Sequence, residues 1–248
     1  MDSINIRNAK LEGGPNMETN ITVRNAKLSD APRILDIYTY YVENTVITFE
    51  YEVPSLEEFE NRMRNTMKKY PYLVIERNGK IEGYSYAGPF VGRAAYDWAC
   101  ELTIYLDNNA KKCGLGRKLY EALADRLKTM GILNLYACIG YPKVEDEYLN
   151  KNSAQFHEHL GFHLCGTFEN CGYKFNRWYD MIWMEKIIGE HKAAAGKTVL
   201  LHGIKRIHRD QHFYGCKYAL YYIFSDVNSF YSTFLRTLKS CCTTFFGR

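Results

Sequence analysis

The sequence predicts an α+β fold, in which a central mixed sheet is flanked by helices. Candidate strands alternate with candidate helices along residues 20–188. The Asn78-Gly79 dipeptide between two runs rich in strand-forming residues predicts a β-hairpin in the middle of this region. Leucines recur every four residues from Leu115 to Leu127, which is typical of an amphipathic helix. Helices between strands, together with an internal hairpin, favour a sheet that has both parallel and antiparallel neighbours.

The first elements carry clear local signals. A strand is predicted at 21–25, and capping residues followed by Pro32 then predict a helix over 30–44. Ser55 and Glu58 form a capping box that predicts the start of a second helix. The elements predicted after it are strands near 72–76, 81–87 and 96–106, a helix from about Gly114 to Met130, a strand at 134–139, a helix at about 150–160, and strands near 163–171 and 178–187.

The two ends of the chain differ from its central part. Residues 4–11 closely repeat residues 21–28, but only the second copy precedes a helix signal, so residues 1–19 are interpreted as a leader. Met1 and Met17 are both candidate start residues. Beyond the predicted 20–188 domain, the composition shifts to Tyr, Phe, His and Cys, and residues 189–248 are interpreted as a basic aromatic tail. The sequence leaves open whether this tail folds.

Composition and charge exclude several classes of protein. The chain is 46% hydrophobic and 24% charged, which is typical of a globular protein. No apolar run reaches the roughly 18 to 20 residues that a membrane-spanning helix needs, and the first residues lack a signal-peptide pattern. The positive excess lies in the tail, which has nine Lys/Arg against three Asp/Glu from Glu190 onward. The main body therefore gives no electrostatic reason to expect nucleic-acid binding.

The eight cysteines are scattered along the chain. None forms a CxxC pair, which argues against a zinc ribbon and against a small disulfide scaffold. We therefore expect a reducing, cytoplasmic location, and the sequence predicts no metal site.

The most informative segment runs from Lys111 to Tyr120 and reads Lys-Lys-Cys-Gly-Leu-Gly-Arg-Lys-Leu-Tyr. It connects a predicted strand to the leucine-patterned helix. Glycines allow the backbone to approach a ligand, and free N–H groups at a helix start favour an anion such as a pyrophosphate. The third glycine of a Rossmann motif is missing, and no Gly-Lys-Ser/Thr of a P-loop follows. By itself the segment fits either a phosphate-binding loop or a plain tight turn.

The surrounding residues resemble the GNAT acetyltransferases, through Glu101 on the preceding strand, the Gly114-Leu115-Gly116 loop and the segment from Asn150 to Phe162. Within that superfamily, residues 20–187 resemble the phosphinothricin N-acetyltransferases and related amino-acid-analogue acetyltransferases. The motifs that carry this resemblance are Tyr86-Ala87-Gly88-Pro89-Phe90, Arg93, Ala95-Tyr96-Asp97-Trp98, Glu101–Leu106, Ile139–Pro142, Ser153–Phe162, Gly172-Tyr173-Lys174 and Trp178-Tyr179-Asp180. The resemblance implies the GNAT acyl-CoA N-acyltransferase fold, acetyl-CoA as co-substrate, a small-molecule amine acceptor and a homodimer.

The resemblance also implies roles for individual residues. Glu101 is the expected general base, because an amine is a nucleophile only after it loses its proton. His157 is expected to protonate the leaving thiolate. The expected acetyl-CoA contacts are Ile104, Tyr105, Leu106, Lys111, Lys112, Cys113, Gly114, Leu115, Gly116, Arg117, Asn150 and Ser153. The expected acceptor contacts are Arg93, Tyr96, Trp98, Tyr173 and Trp178, among which the Arg93 guanidinium suits a carboxylate.

Each of these residues also has a structural interpretation. Glu101 is compatible with a solvated strand carboxylate, His157 with a histidine that supports a helix face, and Asn150 with a simple helix cap. Arg93 is compatible with an exposed loop residue, and the aromatic side chains with core packing.

The sequence departs from the family pattern at three places, and these departures leave the identity of the acceptor amine undetermined. Lys111 stands where the family pattern has Gln or Arg, which keeps a cation but not a planar donor. Residues 143–149 look like an insertion before Asn150, and Tyr179 stands where the most similar family members carry His.

The leading interpretation is direct acetyl transfer from acetyl-CoA to the primary amine of a small amino acid or analogue, of the phosphinothricin or methionine sulfoximine/sulfone type. The alternatives are transfer to a polyamine, an aminoglycoside or a protein N-terminus, a non-catalytic acyl-CoA-binding module, and an interaction protein that acts through its basic tail.

Overall fold

A computed structural model describes residues 20–110, 114–196 and 198–199 of the chain. Its strands and helices alternate as the sequence predicts, and the mixed sheet flanked by helices is confirmed. In order, the elements are β1 Ile21–Asn25, α1 Ala31–Asn44, α2 Leu56–Met67, β2 Tyr72–Arg77, β3 Lys80–Pro89, β4 Ala99–Leu106, α3 Leu115–Thr129, β5 Asn134–Tyr141, α4 Asn152–His159, β6 His163–Lys174 and β7 Arg177–Ile187.

The described strands form one seven-stranded sheet in the order β1-β2-β3-β4-β5-β7-β6. Every neighbouring pair is antiparallel except β4 and β5, which run parallel. A parallel pair needs a long crossover, and α3 supplies it between β4 and β5. The exceptional pair therefore lies at the centre of the sheet.

Local chemistry explains several of the element boundaries. The Ser55 side chain accepts a hydrogen bond of 3.2 Å from the Glu58 N–H and caps α2. Asn78 and Gly79 have positive φ values of 52° and 79°, which a tight turn between β2 and β3 requires.

Two hydrophobic cores cover opposite faces of the sheet. The core under α3 and α4 includes Leu119, Leu123 and Leu127, each at 0% exposure, so the predicted leucine face is the buried one. The core under α1 and α2 includes Ile34 and Met63 and is rich in tyrosine. Four consecutive β2 residues are buried because neighbouring side chains of a strand enter opposite cores.

Two elements start later than predicted by more than one residue, and strands β3, β5 and β6 end two or three residues later than predicted. Strand β4 begins at Ala99, because residues 94–96 form a 3₁₀ turn that brings the chain back toward the sheet. Helix α4 begins at Asn152, and the Asn150 side chain accepts a 3.1 Å hydrogen bond from the Asn152 N–H. Asn150 therefore precedes the helix and does not share a helical face with His157.

The residues that follow β7 pack along the domain for a short distance. The Ile188 N–H donates to the Leu133 carbonyl at 2.8 Å, and the Val199 N–H donates to the Met130 carbonyl at 2.9 Å. Thr198 is buried. The first residues of the predicted tail are thus part of the folded domain, whereas the leader at 1–19 and the tail from 200 onward lie outside the described residues. Within the described ranges, no helix is both long and apolar enough to cross a membrane.

Candidate functional site

A cleft opens where β4 and β5 separate. The two strands are paired only from Ala99↔Asn134 to Glu101↔Tyr136, although both continue for several more residues. Beyond Glu101 the β5 side of β4 has no strand partner in the described sheet. The resulting cavity has a volume of about 170 Å³ and is lined by residues from β4, β5, α3, α4 and the loop after α1. The lining residues are Ile47, Glu101, Leu102, Thr103, Ile104, Tyr105, Tyr120, Ala137, Cys138, Ile139, Gly140, Ser153 and His157.

Glu101 lies at the closed end of this cleft, at the last residue pair before the strands diverge. Its side chain is half-buried, and burial raises its pKa above the usual value. No ion pair or hydrogen bond to its carboxyl is formed by the residues that the structure describes. A carboxylate with a raised pKa and no competing partner is suited to accept a proton from a ligand in the cleft.

His157 lies on the α4 wall and is only 3% exposed. Its Nδ1 is 2.7 Å from the Ser153 carbonyl, which can only accept, so Nδ1 carries the proton. Its Nε2, 3.0 Å from the Tyr120 hydroxyl, is then the acceptor. Burial lowers the pKa of His157 to about 4, so the ring is neutral at pH 7. A neutral ring whose only N–H is engaged is a poor proton donor.

The N-terminus of α3 lies at the open end of β4. Gly114 caps the helix with a positive φ of 73°, a conformation that glycine adopts without strain. A Cβ at Gly116 would lie 3.2 Å from the Phe156 ring and 3.4 Å from Leu106 Cδ1, so β4, α3 and α4 converge there. The N–H groups of the first helical turn have no acceptor within the helix, and they favour an anion. Lys111, Lys112 and Cys113 lie outside the described residues.

The loop before β4 folds toward Tyr136, the pairing partner of Glu101. The Phe90 ring stacks on the Tyr136 ring with centroids 4.0 Å apart, and the Tyr96 ring meets Phe90 edge-on at 6.2 Å. Arg93 is exposed on the same loop, just before the 3₁₀ turn. Phe90, Tyr96 and Tyr136 line a separate cavity of about 490 Å³, and neither Tyr96 nor Arg93 lines the cleft between β4 and β5.

The other three predicted acceptor contacts also lie outside the cleft. The Trp98 indole N–H donates to the Gly196 carbonyl at 2.8 Å, and Trp98 lines the same 490 Å³ cavity as Tyr96. Tyr173 and Trp178 face each other at the end of the β6–β7 hairpin, with ring centroids 4.9 Å apart. None of the three lines the cleft between β4 and β5.

Comparisons with known proteins agree with this geometry. Residues 23–183 match the family model described as the acetyltransferase (GNAT) domain. A phosphinothricin N-acetyltransferase of Streptomyces viridochromogenes is 33% identical over 153 residues, which cover 62% of this chain and 80% of that protein. An L-methionine sulfoximine/L-methionine sulfone acetyltransferase of Salmonella typhimurium is 29% identical over 177 residues, covering 70% of this chain and 98% of that one.

The crystal structure of a GNAT superfamily phosphinothricin acetyltransferase from Sinorhizobium meliloti, in complex with AcCoA, matches with a TM-score of 0.67 and 32% identity. The match covers 75% of this chain and 97% of that one. The chain belongs to the GNAT acetyltransferase family. Its mixed sheet is the GNAT fold, and the protein is a GNAT N-acetyltransferase.

Two departures from the family pattern, segment 143–149 and Tyr179, lie in contact with each other. The Tyr179 hydroxyl donates to Asp146 Oδ2, at 2.7 Å, within segment 143–149. Asp146 also accepts the backbone N–H groups of Tyr148 and Leu149 at 2.9 Å, and Leu149 is buried against Tyr179. Arg177 donates to Asp146 at 2.9 Å and to Glu147 at 3.0 Å, so Tyr179 and Arg177 together hold this segment.

Sequence reasoning missed several residues of the GNAT cleft. Tyr120 was given no role of its own in the predicted site, although its hydroxyl bonds His157 in the cleft wall. Cys138 and Ile47 also line the cleft and belong to no motif that the sequence singled out. The alternation of side chains along β5 signals Cys138, since it shares a face with Tyr136. No sequence signal indicates Ile47.

Proposed function

We propose that this protein transfers an acetyl group from acetyl-CoA directly to the primary amine of a small amino acid or amino-acid analogue, of the phosphinothricin or methionine sulfoximine/sulfone type. The observation that carries the proposal is the position of Glu101 at the closed end of the cleft between β4 and β5, with a raised pKa. The names of the relatives support the substrate class.

The residues present fit acetyl-CoA. The unpaired edge of β4 at Ile104, Tyr105 and Leu106 offers backbone groups of the kind that bind an extended chain such as pantetheine. The start of α3, from Gly114 to Arg117, offers free N–H groups and a positive helix end to a pyrophosphate. Lys111, Lys112 and Cys113 belong to this proposed set by resemblance alone, and Ser153 by its position on the α4 wall. When bound, acetyl-CoA supplies an activated thioester carbonyl.

The protein's own part in the reaction is proton transfer and positioning. The Glu101 carboxylate accepts a proton from the substrate ammonium, directly or through water, so that the amine nitrogen can attack the thioester carbon and the carbon–sulfur bond can break. The proton that the nitrogen loses as the amide forms passes to the leaving thiolate, directly or through water, so that coenzyme A leaves as the thiol. His157 was expected to donate the proton to the sulfur. Because its ring is neutral and its N–H is bonded to Ser153, we propose for His157 a positioning role between α3 and α4 instead.

For the acceptor, we propose that Arg93 pairs with the acid group of the substrate and that Tyr96 flanks it. Arg93 is exposed on the loop that Phe90 holds against Tyr136. Trp98, Tyr173 and Trp178 do not line the cleft, and we propose no direct acceptor contact for them within one subunit. Asn150 is exposed before α4 and stays a proposed acetyl-CoA contact on the resemblance alone.

The proposed assembly and location have separate grounds. The homodimer follows from the family resemblance, and exposed apolar side chains on the β6–β7 hairpin, such as Phe168 and Trp178, are compatible with it. The cytoplasmic location follows from the scattered cysteines, and the four that the structure describes, Cys100, Cys138, Cys165 and Cys171, are free.

The main alternative is the same chemistry on an amine that lacks an acid group. A matched pair of acceptors separates the two, for example methionine sulfone and the corresponding amine without the carboxylate, in an assay of thiol release from acetyl-CoA. We expect the wild type to prefer the acid, and Arg93→Ala to lose roughly tenfold to a hundredfold in kcat/KM for the acid alone, since a charged contact is worth about 1.5 to 3 kcal/mol. Arg64→Ala, on the exposed face of α2, is the control.

Equal losses for both acceptors would give Arg93 a structural role and favour the general-amine alternative. No thiol release with any amine, in a protein that binds acetyl-CoA, would favour the non-catalytic module.

A further inference from the structure

A second group of reactive side chains lies on the outer strands of the sheet, away from the cleft. It consists of His163 and Cys165 on β6 and Glu185 on β7, and it is named the His163 cluster. One ligand atom of each residue lies within 4.8 Å of the other two. We propose that these three residues form a binding site for a divalent transition-metal ion, with Zn²⁺ as the best fit.

The strand register explains why these residues meet. His163 and Glu185 are direct partners across β6 and β7, so their side chains lie on the same face of the sheet. The register shifts between Leu164 and Gly166, so Cys165 has no direct partner on β7. Its sulfur nevertheless lies within 4.8 Å of a ligand atom of His163 and of Glu185.

Glu185 is held in an orientation that leaves one oxygen available. Its Oε1 accepts hydrogen bonds from the Tyr136 hydroxyl at 2.6 Å and from Asn134 Nδ2 at 2.8 Å. Its Oε2 lies 3.3 Å from His163 Nε2. Outer hydrogen bonds of this kind orient the ligands of metal sites, and their presence distinguishes the His163 cluster from a chance pair of surface charges.

The chemistry of the three ligand atoms indicates which metal ion would bind. One imidazole nitrogen, one thiolate and one carboxylate oxygen are ligands that Zn²⁺ takes together, whereas Mg²⁺ and Ca²⁺ require oxygen ligands. Zinc bond lengths of about 2.0 to 2.3 Å in a tetrahedron place ligand atoms roughly 3.3 to 3.6 Å apart. The side chains of His163 and Cys165 are exposed, so they can rotate to bring their ligand atoms from the present separations, within 4.8 Å, to those that zinc requires. Three protein ligands leave the fourth position to water.

The site is separate from the proposed acetyl-transfer centre. Tyr136 on β5 pairs with Glu101 on β4 and with Glu185 on β7. Two strand spacings therefore separate the backbones of Glu185 and Glu101, which is roughly 10 Å. The His163 cluster therefore does not replace or share the general base. Zinc there would join the edge strand β6 to β7, which predicts a more stable hairpin in the loaded protein.

The test uses the full-length reduced protein, with Zn²⁺ as the probe and a chromophoric chelator as the competitor. Other cysteines and histidines also bind zinc weakly, so the site is defined by a difference between variants. Cys165→Ser removes the thiolate of the cluster, and Cys171→Ser removes another exposed thiol of the same strand as a matched control. We expect Cys165→Ser to lose one bound equivalent and at least tenfold in affinity, and Cys171→Ser to behave as the wild type.

Two further measurements identify the ligands. Co²⁺ bound to the wild type should show the thiolate charge-transfer and tetrahedral bands, and Cys165→Ser should lack both. Glu185→Gln, which still accepts from Tyr136 and Asn134, should weaken binding while keeping the melting temperature measured with chelator present. Equal zinc binding by wild type and Cys165→Ser, or equal losses in the two serine variants, would overturn the proposal.

Discussion

Acid should destabilise this protein through one buried imidazole. His157 is 3% exposed, and burial lowers its pKa from 6.5 to about 4. The unfolded chain takes up a proton at His157 below about pH 6.5, while the folded protein does so only near pH 4. The contribution of His157 to stability is therefore complete above pH 6.5 and is lost as the pH falls toward 4.

The magnitude is set by these two pKa values. Each pKa unit corresponds to about 1.4 kcal/mol, so the free energy of unfolding should fall by about 2 kcal/mol between pH 7 and pH 5 through this residue, and by about 3 kcal/mol by pH 4. The His157 ring is almost fully buried, so solvent screening reduces this free-energy difference little. A domain of this kind is stable by only about 5 to 15 kcal/mol, which makes the effect measurable.

The assay is urea denaturation at a series of pH values on three proteins. The wild type and His159→Gln, which changes an exposed histidine of the same helix, should lose stability on acidification to the same extent. His157→Gln should be less stable at pH 7 and should lose about 2 kcal/mol less between pH 7 and pH 5. Other groups, including Glu101, titrate equally in all three and cancel in the comparison.

A His157→Gln variant with the same pH dependence as the wild type would refute the reasoning. An NMR titration that gave the wild-type His157 ring a pKa near 6.5 would refute it too, and that measurement does not depend on the variant folding. Either result would also restore His157 as a candidate proton donor in the cleft.

The remaining predictions concern the anion site and the insertion. Gly114→Glu should abolish coenzyme A binding in calorimetry, because its carboxylate would stand at the helix start and φ is positive there. Gly114→Asn should lose much less affinity for coenzyme A, since Asn tolerates a positive φ. Equal affinities of the wild type and both variants for coenzyme A would contradict the proposed anion site at the start of α3. Tyr179→Phe should lower the free energy of unfolding by about 1 kcal/mol, because it removes one of two side-chain donors to Asp146 Oδ2 and leaves Arg177, and it should change the acceptor KM more than kcat. An unchanged KM would mean that the insertion does not border the acceptor.

The fold could be predicted because its signals are local. The Ser55 helix cap, the Asn78-Gly79 turn and the leucine pattern of α3 each depend on a few neighbouring residues, and each is present in the structure. The second half of the predicted capping box is absent, because the Glu58 carboxylate accepts from Arg62. The start of α4 was misplaced because Asn150 forms a local turn that resembles a helix cap in sequence. The start of β4 was misplaced because a 3₁₀ turn, which has no periodic signal, precedes it.

The site could be predicted only where a family pattern names its residues. Glu101 and His157 do line the cleft, but the sequence cannot show that the Ser153 carbonyl fixes the His157 tautomer or that Tyr120, on a different helix, bonds its Nε2. The sequence also could not predict contacts that depend on strand register. Glu185 and His163 are far apart in sequence and meet only because β7 follows β6 through a tight hairpin.

The central claim is that Glu101 removes the proton from the acceptor amine, and Glu101→Gln tests it most directly. We expect kcat/KM at neutral pH to fall by roughly 10² to 10⁴, while the calorimetric Kd for coenzyme A stays within a few-fold of the wild type. In the wild type, the rate should rise with pH through a carboxyl pKa above 4.5, because burial raises the pKa of Glu101. In Glu101→Gln that rise should disappear, and the rate should instead grow about tenfold per pH unit as free amine accumulates. A folded Glu101→Gln protein with the wild-type rate and pH profile would contradict the account.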